Sequence, residues 1–296
     1  MAVQKKVLVT GATGFTGSFV VRELCASGYD VFCFVRGCSD ISVLNGYQVS
    51  YVNGDLDHPS TLFESLKKMD VLVNVASIGF GHGPSIVRVC EEAGVKRAIF
   101  FSTTAVFTTL EANSKIKRLE AEKAIKESGL DYTIFRPTMI YGTMRDRNMI
   151  KLIKFLDRFP VIPIFGPGEA LQQPVYVKDL AKAVAKVVDV SRTYKKDYNL
   201  SGKEPLTYNE VVDTVANLLG KKVFKIHIPL RASLVLINSV KLIPGLPKFT
   251  PEQVLRLNEN KTFSYQTAVE DFGYAPLSFY EGVTEEIREY QSYNVK

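Results

Sequence analysis

The sequence predicts an α/β protein: a Rossmann-type, doubly wound parallel sheet with a smaller mixed C-terminal substrate cap. Three observations carry this expectation. Short apolar runs rich in β-branched residues alternate with amphipathic helical patterns from Val7 to Phe135, the pattern of βαβ units whose sheet is covered on both faces. The first run, Val7-Leu8-Val9-Thr10, enters a G-x-x-G-x-x-G turn at Gly11, Gly14 and Gly17 and leaves it as a helix. Beyond Gly142 the alternation lapses into proline- and glycine-rich and mixed segments.

The elements follow in order. After the glycine turn, Ser18 to Ser27 reads as an amphipathic helix closed by Gly28. Val31–Val35 and Val49–Val52 read as the second and third strands, and Thr61 to Lys68 as a helix with Thr61 and Glu64 spaced as a capping box. Val71–Val75 is a fourth strand, Ser85–Ala93 a helix and Ala98–Phe101 a fifth strand. Ser114 to Ser128 is a charged helix, Asp131–Phe135 a sixth strand and Asn148 to Arg158 a further helix. Phe159 to Gly168 is rich in proline and glycine, and Pro174 to Leu180 leads into a helix ending near Val190. Tyr198–Leu200 is a short strand, and helices at Tyr208–Leu219, Pro251–Leu257 and Phe279–Tyr290 complete the cap. The expected division is 1–142 with about 172–201 as the dinucleotide-binding part, and about 143–171 with 202–296 as the cap.

The glycines can each be given a task. Gly11 permits the tight turn off the strand, Gly14 lets the backbone approach a pyrophosphate, and Gly17 lets the helix pack closely on the strand. The helix start then offers free N–H groups and a positive dipole end to an anion. At the end of the second strand stands Arg36, with no acid before Asp40. An arginine there suits a ribose 2′-phosphate, whereas an acid suits the free hydroxyl, so NADP is preferred and NAD stays open.

Composition sets the outer bounds. At 296 residues, 46% hydrophobic and 23% charged, the chain is an ordinary globular protein. Its net charge of +6 is dispersed, apart from Lys115, Lys117 and Arg118. That agrees with anionic ligands and does not call for nucleic acid. Cys25, Cys33, Cys38 and Cys90 form no C-x-x-C pair, and His58, His82 and His227 are isolated. Reduced thiols, no metal site and a cytoplasmic location are expected. No signal segment is expected before the first strand, and no apolar run reaches the ~18 residues of a membrane span. The stretch Leu234-Val235-Leu236-Ile237, with Arg231, Lys241 and Lys248, is read as cap core in preference to a peripheral membrane contact or the lining of an apolar substrate pocket. The expected partner is a small-molecule substrate, and the expected state a monomer or homodimer.

With these residues in hand, the chain resembles the extended short-chain dehydrogenase/reductase superfamily, the epimerase/dehydratase relatives. The resemblance runs nearly the whole length. It includes Thr10 to Gly17 as the cofactor turn, Asp55-Leu56 at the adenine, Val75-Ala76 at the fourth strand's end and Phe101-Ser102-Thr103 at the fifth. Arg136-Pro137 with Tyr141-Gly142, Val175 to Ala181, Gly273-Tyr274-Ala275-Pro276 and Glu281-Gly282 continue it. The resemblance implies cofactor contacts at Gly11, Thr13, Gly14, Phe15, Thr16, Gly17, Asp55, Leu56, Val75, Ala76 and Pro137, and a substrate-orienting hydroxyl at Thr103.

The catalytic pattern departs from that family. Its reaction uses a tyrosine whose pKa is lowered by a lysine four residues later. None of the fourteen tyrosines has such a lysine; the expected positions hold Ser114 and Arg118 or, one residue earlier, Asn113 and Lys117, again without a phenol. Arg118 keeps the ability to bind the nicotinamide ribose or a phosphate. Arg145 and Arg147 are placed to receive a substrate diphosphate, with a solvated basic helix start as the alternative. Two functions follow: an NAD(P)-dependent oxidoreductase or epimerase/dehydratase-like enzyme on a nucleotide sugar or other phosphorylated or carbonyl substrate, or a non-catalytic NADPH-binding subunit or redox-reporting regulator. Tyr141 and Tyr176 are the candidate replacement phenols, and both are expected to be packed side chains.

Overall fold

In the computed structural model, which describes residues 4–110, 113–234 and 251–294, seven parallel strands form the central sheet. They are β1 (Lys6–Thr10), β2 (Asp30–Val35), β3 (Ser50–Asn53), β4 (Val71–Asn74), β5 (Arg97–Phe101), β6 (Asp131–Pro137) and, much later, β11 (Lys196–Leu200). Their order is β11-β6-β5-β4-β1-β2-β3. The chain thus starts at the middle of the sheet and reverses between β1 and β4. That reversal opens a crevice at the carboxyl ends of the strands. Val7 pairs with Val31 on one side and Val71 on the other.

Strand alternation sorts the apolar side chains onto two faces. Val7, Val9, Val71, Val73, Ile99 and Phe101 belong to one core; Leu8, Leu72, Ala98 and Phe100 belong to the opposite one. On the first face lie α1 (Phe15–Ala26) and α6 (Val177–Val187), packed on each other; on the second lie α2 (Pro59–Leu66), α3 (Gly83–Glu92) and α4 (Asn113–Glu127). Arg97 is buried in the sheet and donates to the carbonyls of Asp131 (2.7 Å), Val187 (2.6 Å) and Val188 (3.2 Å), tying the end of α6 to β5 and β6.

A third apolar cluster gathers Tyr141, Ile153, Ile164, Val212, Val215, Phe279 and Val283. It is built by α5 (Met149–Arg158), α7 (Tyr208–Leu218) and the C-terminal helix Phe279–Asn294, with short strand pairs beside them. These are β7 (Ile140–Tyr141) with β10 (Val175–Tyr176), β8 (Val161–Phe165) with β13 (Phe224–Ile228), and β9 (Leu171–Gln172) with β12 (Leu206–Thr207).

Several local expectations need correction. Helix α1 begins at Phe15, three residues before Ser18, because Gly14 already serves as its N-cap; Gly28, at φ +85°, follows the C-cap Ser27. The Thr61–Glu64 capping box does not form. Pro59 starts α2 earlier, where its missing N–H costs nothing, so Thr61 lies inside the helix and its hydroxyl donates to the carbonyls of His58 (2.7 Å) and Asp55 (3.1 Å). Capping boxes form instead at Thr207 with Glu210, at the start of α7, and at Ser278 with Glu281, at the start of the C-terminal helix. The proline- and glycine-rich segment Phe159–Gly168 contains β8, whose Pro163 is tolerated because the pair is short and peripheral. The helix Gln266–Phe272 had no sequence signal strong enough to separate it from its neighbours. Val235, Leu236, Ile237, Lys241 and Lys248 lie outside the described residues. Among the described residues, no helix is long and apolar enough to cross a membrane.

Candidate functional site

The glycine turn sits at the carboxyl end of the central strand. Gly11 adopts φ +66°, and a Cβ there would stand 2.8 Å from the backbone nitrogen of Ala76, so the turn presses directly on the end of β4. A Cβ on Gly17 would meet the Gly11 carbonyl oxygen at 2.0 Å. Only glycine lets helix and turn approach this closely. No side chain caps the first turn of α1, because Gly14 is at the N-cap position. Its initial N–H groups therefore await an acceptor. This is the chemistry that a dinucleotide pyrophosphate satisfies, so the residues present fit the cofactor. The turn is braced by a buried clasp: the Thr10 hydroxyl donates to Asn74 Oδ1 at 2.7 Å, and Asn74 donates to the Ala76 carbonyl at 2.9 Å.

Beside the turn lies a cleft of about 340 Å³. Among the predicted residues it collects Thr16, Val75, Thr103, Ser114, Arg118 and Pro137. Gly11, Thr13, Gly14, Phe15 and Gly17 form the adjoining turn and helix start, with Ala76 packed on Gly11. Further along the same edge of the sheet, Arg36 follows β2 with its side chain exposed, and Asp55-Leu56 follow β3. Asp55 Oδ1 accepts from the Asp57 N–H at 3.1 Å, and the Asp55 N–H donates to the Thr61 hydroxyl at 3.1 Å, which fixes that loop.

Thr103 is partly buried and its hydroxyl accepts from the Ala105 N–H at 3.2 Å. The hydroxyl proton is left to donate elsewhere. Ser114 and Arg118 stand one turn apart on α4 and reach the same cleft. Among the described residues neither side chain has a hydrogen-bond partner. Burial holds the Arg118 guanidinium below its ordinary pKa, and the nearby Arg256 adds to that. Arg256, from the helix Pro251–Leu257, also lines the cleft; nothing in the sequence distinguished it from an ordinary surface arginine.

Two expected substrate contacts are placed otherwise engaged or outside. Arg145 donates to the Thr13 carbonyl at 2.9 Å and the Ser18 hydroxyl at 3.3 Å, which makes it a strut on the glycine turn. Arg147 is exposed and does not line the cleft. The two candidate phenols also lie away from it. Tyr141 is fully buried, donates to the Phe279 carbonyl at 3.4 Å, and has its pKa raised by burial and then by Asp179 and Glu286. A Cβ on Gly282 would touch the Tyr141 hydroxyl at 2.2 Å, so that glycine is required for the phenol to fit. Tyr176 is pushed up to about 12, chiefly by burial. No tyrosine or lysine is among the described residues lining the cleft.

Behind the cleft runs a polar chain that sequence reasoning did not assemble. Ser102 donates to Glu122 Oε1 at 2.6 Å; Arg136 meets the same carboxylate through Nε (2.9 Å to Oε1) and Nη2 (2.6 Å to Oε2). Arg136 also donates through Nη1 to Asp197 Oδ1 at 2.9 Å, and Lys126 reaches Asp197 at 2.5 Å. Glu122 is one helical turn beyond Arg118, and Ser102 precedes Thr103. The network thereby fixes α4 against the ends of β5 and β6. The signal available was Arg136 at the end of a buried strand, a cation that needs a buried partner.

Comparison with known proteins agrees with this architecture. The chain is 28% identical over 254 residues to eugenol synthase 1 of Petunia hybrida, covering 77% of this chain and 79% of that protein. It is 23% identical over 289 residues to photosystem II assembly factor Ycf39 of Guillardia theta, covering 91% and 89%. The crystal structure of dTDP-glucose 4,6-dehydratase from Bacillus anthracis str. Ames, in complex with NAD, matches with a TM-score of 0.76 at 18% identity over 97% of each chain. That structure shares the Rossmann fold. The NmrA-like family model matches residues 3–270. With its glycine turn, reversed parallel sheet and C-terminal cluster, the chain belongs to the NmrA-like family.

Proposed function

We propose that this is an NADP(H)-dependent oxidoreductase or epimerase/dehydratase-like protein acting on a nucleotide sugar or another phosphorylated or carbonyl substrate. The observation that carries the reading is the cleft itself. It joins the glycine turn, through Thr16, to Thr103, Ser114, Arg118 and Pro137 at the strand ends. In this reading residues 1–142 with about 172–201 hold the cofactor, and the remainder caps the substrate.

NADP(H), when bound, supplies or accepts the hydride. The chain's own residues do the rest. The uncapped start of α1 holds the pyrophosphate, and Arg36 takes the 2′-phosphate. Thr103 donates to a substrate oxygen and Ser114 offers a second hydroxyl. Arg118 stabilises negative charge developing there, but a guanidinium does not serve as a proton donor. General acid–base catalysis contributes ~10²–10⁴-fold, so turnover is expected to be slow for a member of this superfamily.

The absence of tyrosine and lysine from the described cleft lining favours a second reading, a dinucleotide-binding subunit without turnover. A relative named as an assembly factor agrees with it. Titration of NADPH fluorescence, followed by a panel of nucleotide-sugar and carbonyl substrates, separates the two. Substrate-dependent oxidation of NADPH that falls in Thr103→Ala supports the enzyme; NADPH binding with no turnover on any substrate supports the subunit.

A further inference from the structure

We propose that Arg118 and Arg256 clamp an anionic group of the substrate, a carboxylate or phosphate ester, inside the cleft; this rests on the dinucleotide-dependent reading above. The two guanidinium groups reach one cleft from different parts of the chain, Arg118 from α4 and Arg256 from the helix Pro251–Leu257. No carboxylate is among the described residues lining that cleft. Two like charges in a half-buried space raise each other's energy, and an anion between them reverses the sign of that interaction.

Each arginine is set for such a ligand. Arg118 lies over the backbone of Gly79, where a Cβ would come within 3.0 Å of its Cζ and Nε. The guanidinium is thus seated against a residue with no side chain, and among the described residues it has no hydrogen-bond partner. Arg256 spends Nη2 on Glu252 at 2.8 Å, while its Nε is buried and unpartnered. The ammonium of Lys261 donates to the Arg256 carbonyl, with Glu259 nearby; burial pulls its pKa down to about 8. By contrast Arg145 is occupied with the glycine turn and Arg147 lies outside the cleft. Guanidinium forks match the oxygens of carboxylate and phosphate alike. The rest of the lining supplies hydroxyls from Thr103 and Ser114 and an apolar surface from Ile78 and Phe101. The substrate class is therefore a small anion with an apolar or carbonyl-bearing body, its charged end between the two arginines.

The test is calorimetric titration of the full chain, saturated with NADPH, with phenyl phosphate and with benzoate. The tighter probe identifies phosphate ester or carboxylate. Arg256→Gln should weaken that probe by about 10–100-fold, the range of a lost charge-assisted contact, and leave NADPH affinity within about 2-fold, while Arg256→Lys keeps part of the probe affinity. Equal probe affinity in wild type and Arg256→Gln, or no binding of either probe, overturns the clamp. NADPH binding is measured first and separately. Its failure defeats the cofactor reading, and the clamp is then judged by the same contrast on the cofactor-free chain, because an anion held at the glycine turn is indifferent to Arg256. If Arg256→Gln melts before the titration temperature, Arg118→Gln gives the same decision: unchanged probe affinity there also overturns the proposal.

Discussion

Replacing Arg136 with methionine tests the polar chain behind the cleft. Arg136 and Glu122 are 7% and 4% exposed, and the guanidinium supplies three contacts of 2.6–3.1 Å to that carboxylate as well as two to Asp197. Arg136→Met keeps much of the side-chain volume but strands Glu122 as a buried, unpaired charge with only the Ser102 hydroxyl for support. Breaking a buried pair from one side costs about 3–5 kcal/mol. Asp197 suffers less, because it is part-exposed and keeps Lys126. Most of the loss should therefore trace to Glu122. Adding Glu122→Gln to Arg136→Met should recover stability, since the amide carries no charge and still accepts from Ser102. Urea unfolding of wild type, Arg136→Met and the double variant measures this through the midpoint at constant slope. A single-variant loss below about 1 kcal/mol, or a double variant less stable than Arg136→Met, would refute the reasoning, because both outcomes mean that the buried carboxylate is not what costs the energy.

Other consequences can be measured in the same way. Arg36→Ala should weaken NADPH by about 1.5–3 kcal/mol while sparing NADH; equal losses in a fluorescence titration would remove Arg36 from the 2′-phosphate. Gly17→Ala places a methyl 2.0 Å from the Gly11 carbonyl, so NADPH binding should be lost, and retained affinity would show that the turn is not the cofactor site. Thr207→Ala removes the capping box of α7 and should cost about 1 kcal/mol in urea unfolding. Glu286 is raised to about 10 by burial and by the neighbouring Asp146, against an ordinary value of 4.5. The folded chain holds this proton where the unfolded chain releases it, so the stabilisation is complete below about 4.5 and declines as pH rises toward about 10. Glu286→Gln should flatten the melting temperature between pH 5 and pH 9; an unchanged slope would mean that Glu286 is ionised in the folded chain.

The central sheet was legible because its strands are short apolar runs separated by turn-forming residues. The central strands β1, β4 and β5 are buried on both faces, so Val7, Leu8 and Val9 had to be apolar without alternation. The glycine turn was legible because close backbone approach excludes every other residue. What escaped was decided by partners distant in sequence. Arg97 was left outside β5, since a buried strand arginine makes sense only once the carbonyls of Val187 and Val188, some ninety positions later, come to meet it. Strand β8 is proline-bearing and is defined by pairing with β13, which lies beyond α7. Thr61 and Glu64 had capping-box spacing, but Pro59 moved the helix start. In the site, the positions of Thr103, Ser114 and Arg118 were readable by order along the chain. Arg256 was not, because its place in the cleft depends on how the C-terminal segment folds back.

The distribution of phenols and cations bears on what chemistry the cleft can perform. A tyrosine acting as proton donor must reach the substrate and must ionise near the working pH. Tyr141 and Tyr176 meet neither condition: both are buried in the C-terminal cluster and both are shifted upward, away from the phenolate. Moving one into the cleft would empty a core position, and in the case of Tyr141 it would also undo the close contact with Gly282. The two arginines in the cleft supply positive charge without a transferable proton. Such a site favours an anionic substrate and a developing negative charge, and leaves protonation to Thr103, Ser114 or water. Restoring the missing pair tests this directly. If proton delivery limits turnover, Ser114→Tyr with Arg118→Lys should raise the rate on any substrate found, by up to the ~10²–10⁴-fold of general acid catalysis, with a pH dependence that the wild type lacks. If the arginine instead holds the substrate's charged end, the same exchange should weaken substrate binding, and the rise in kcat would come with a rise in KM. A fall in kcat with unchanged KM would contradict both roles for the position.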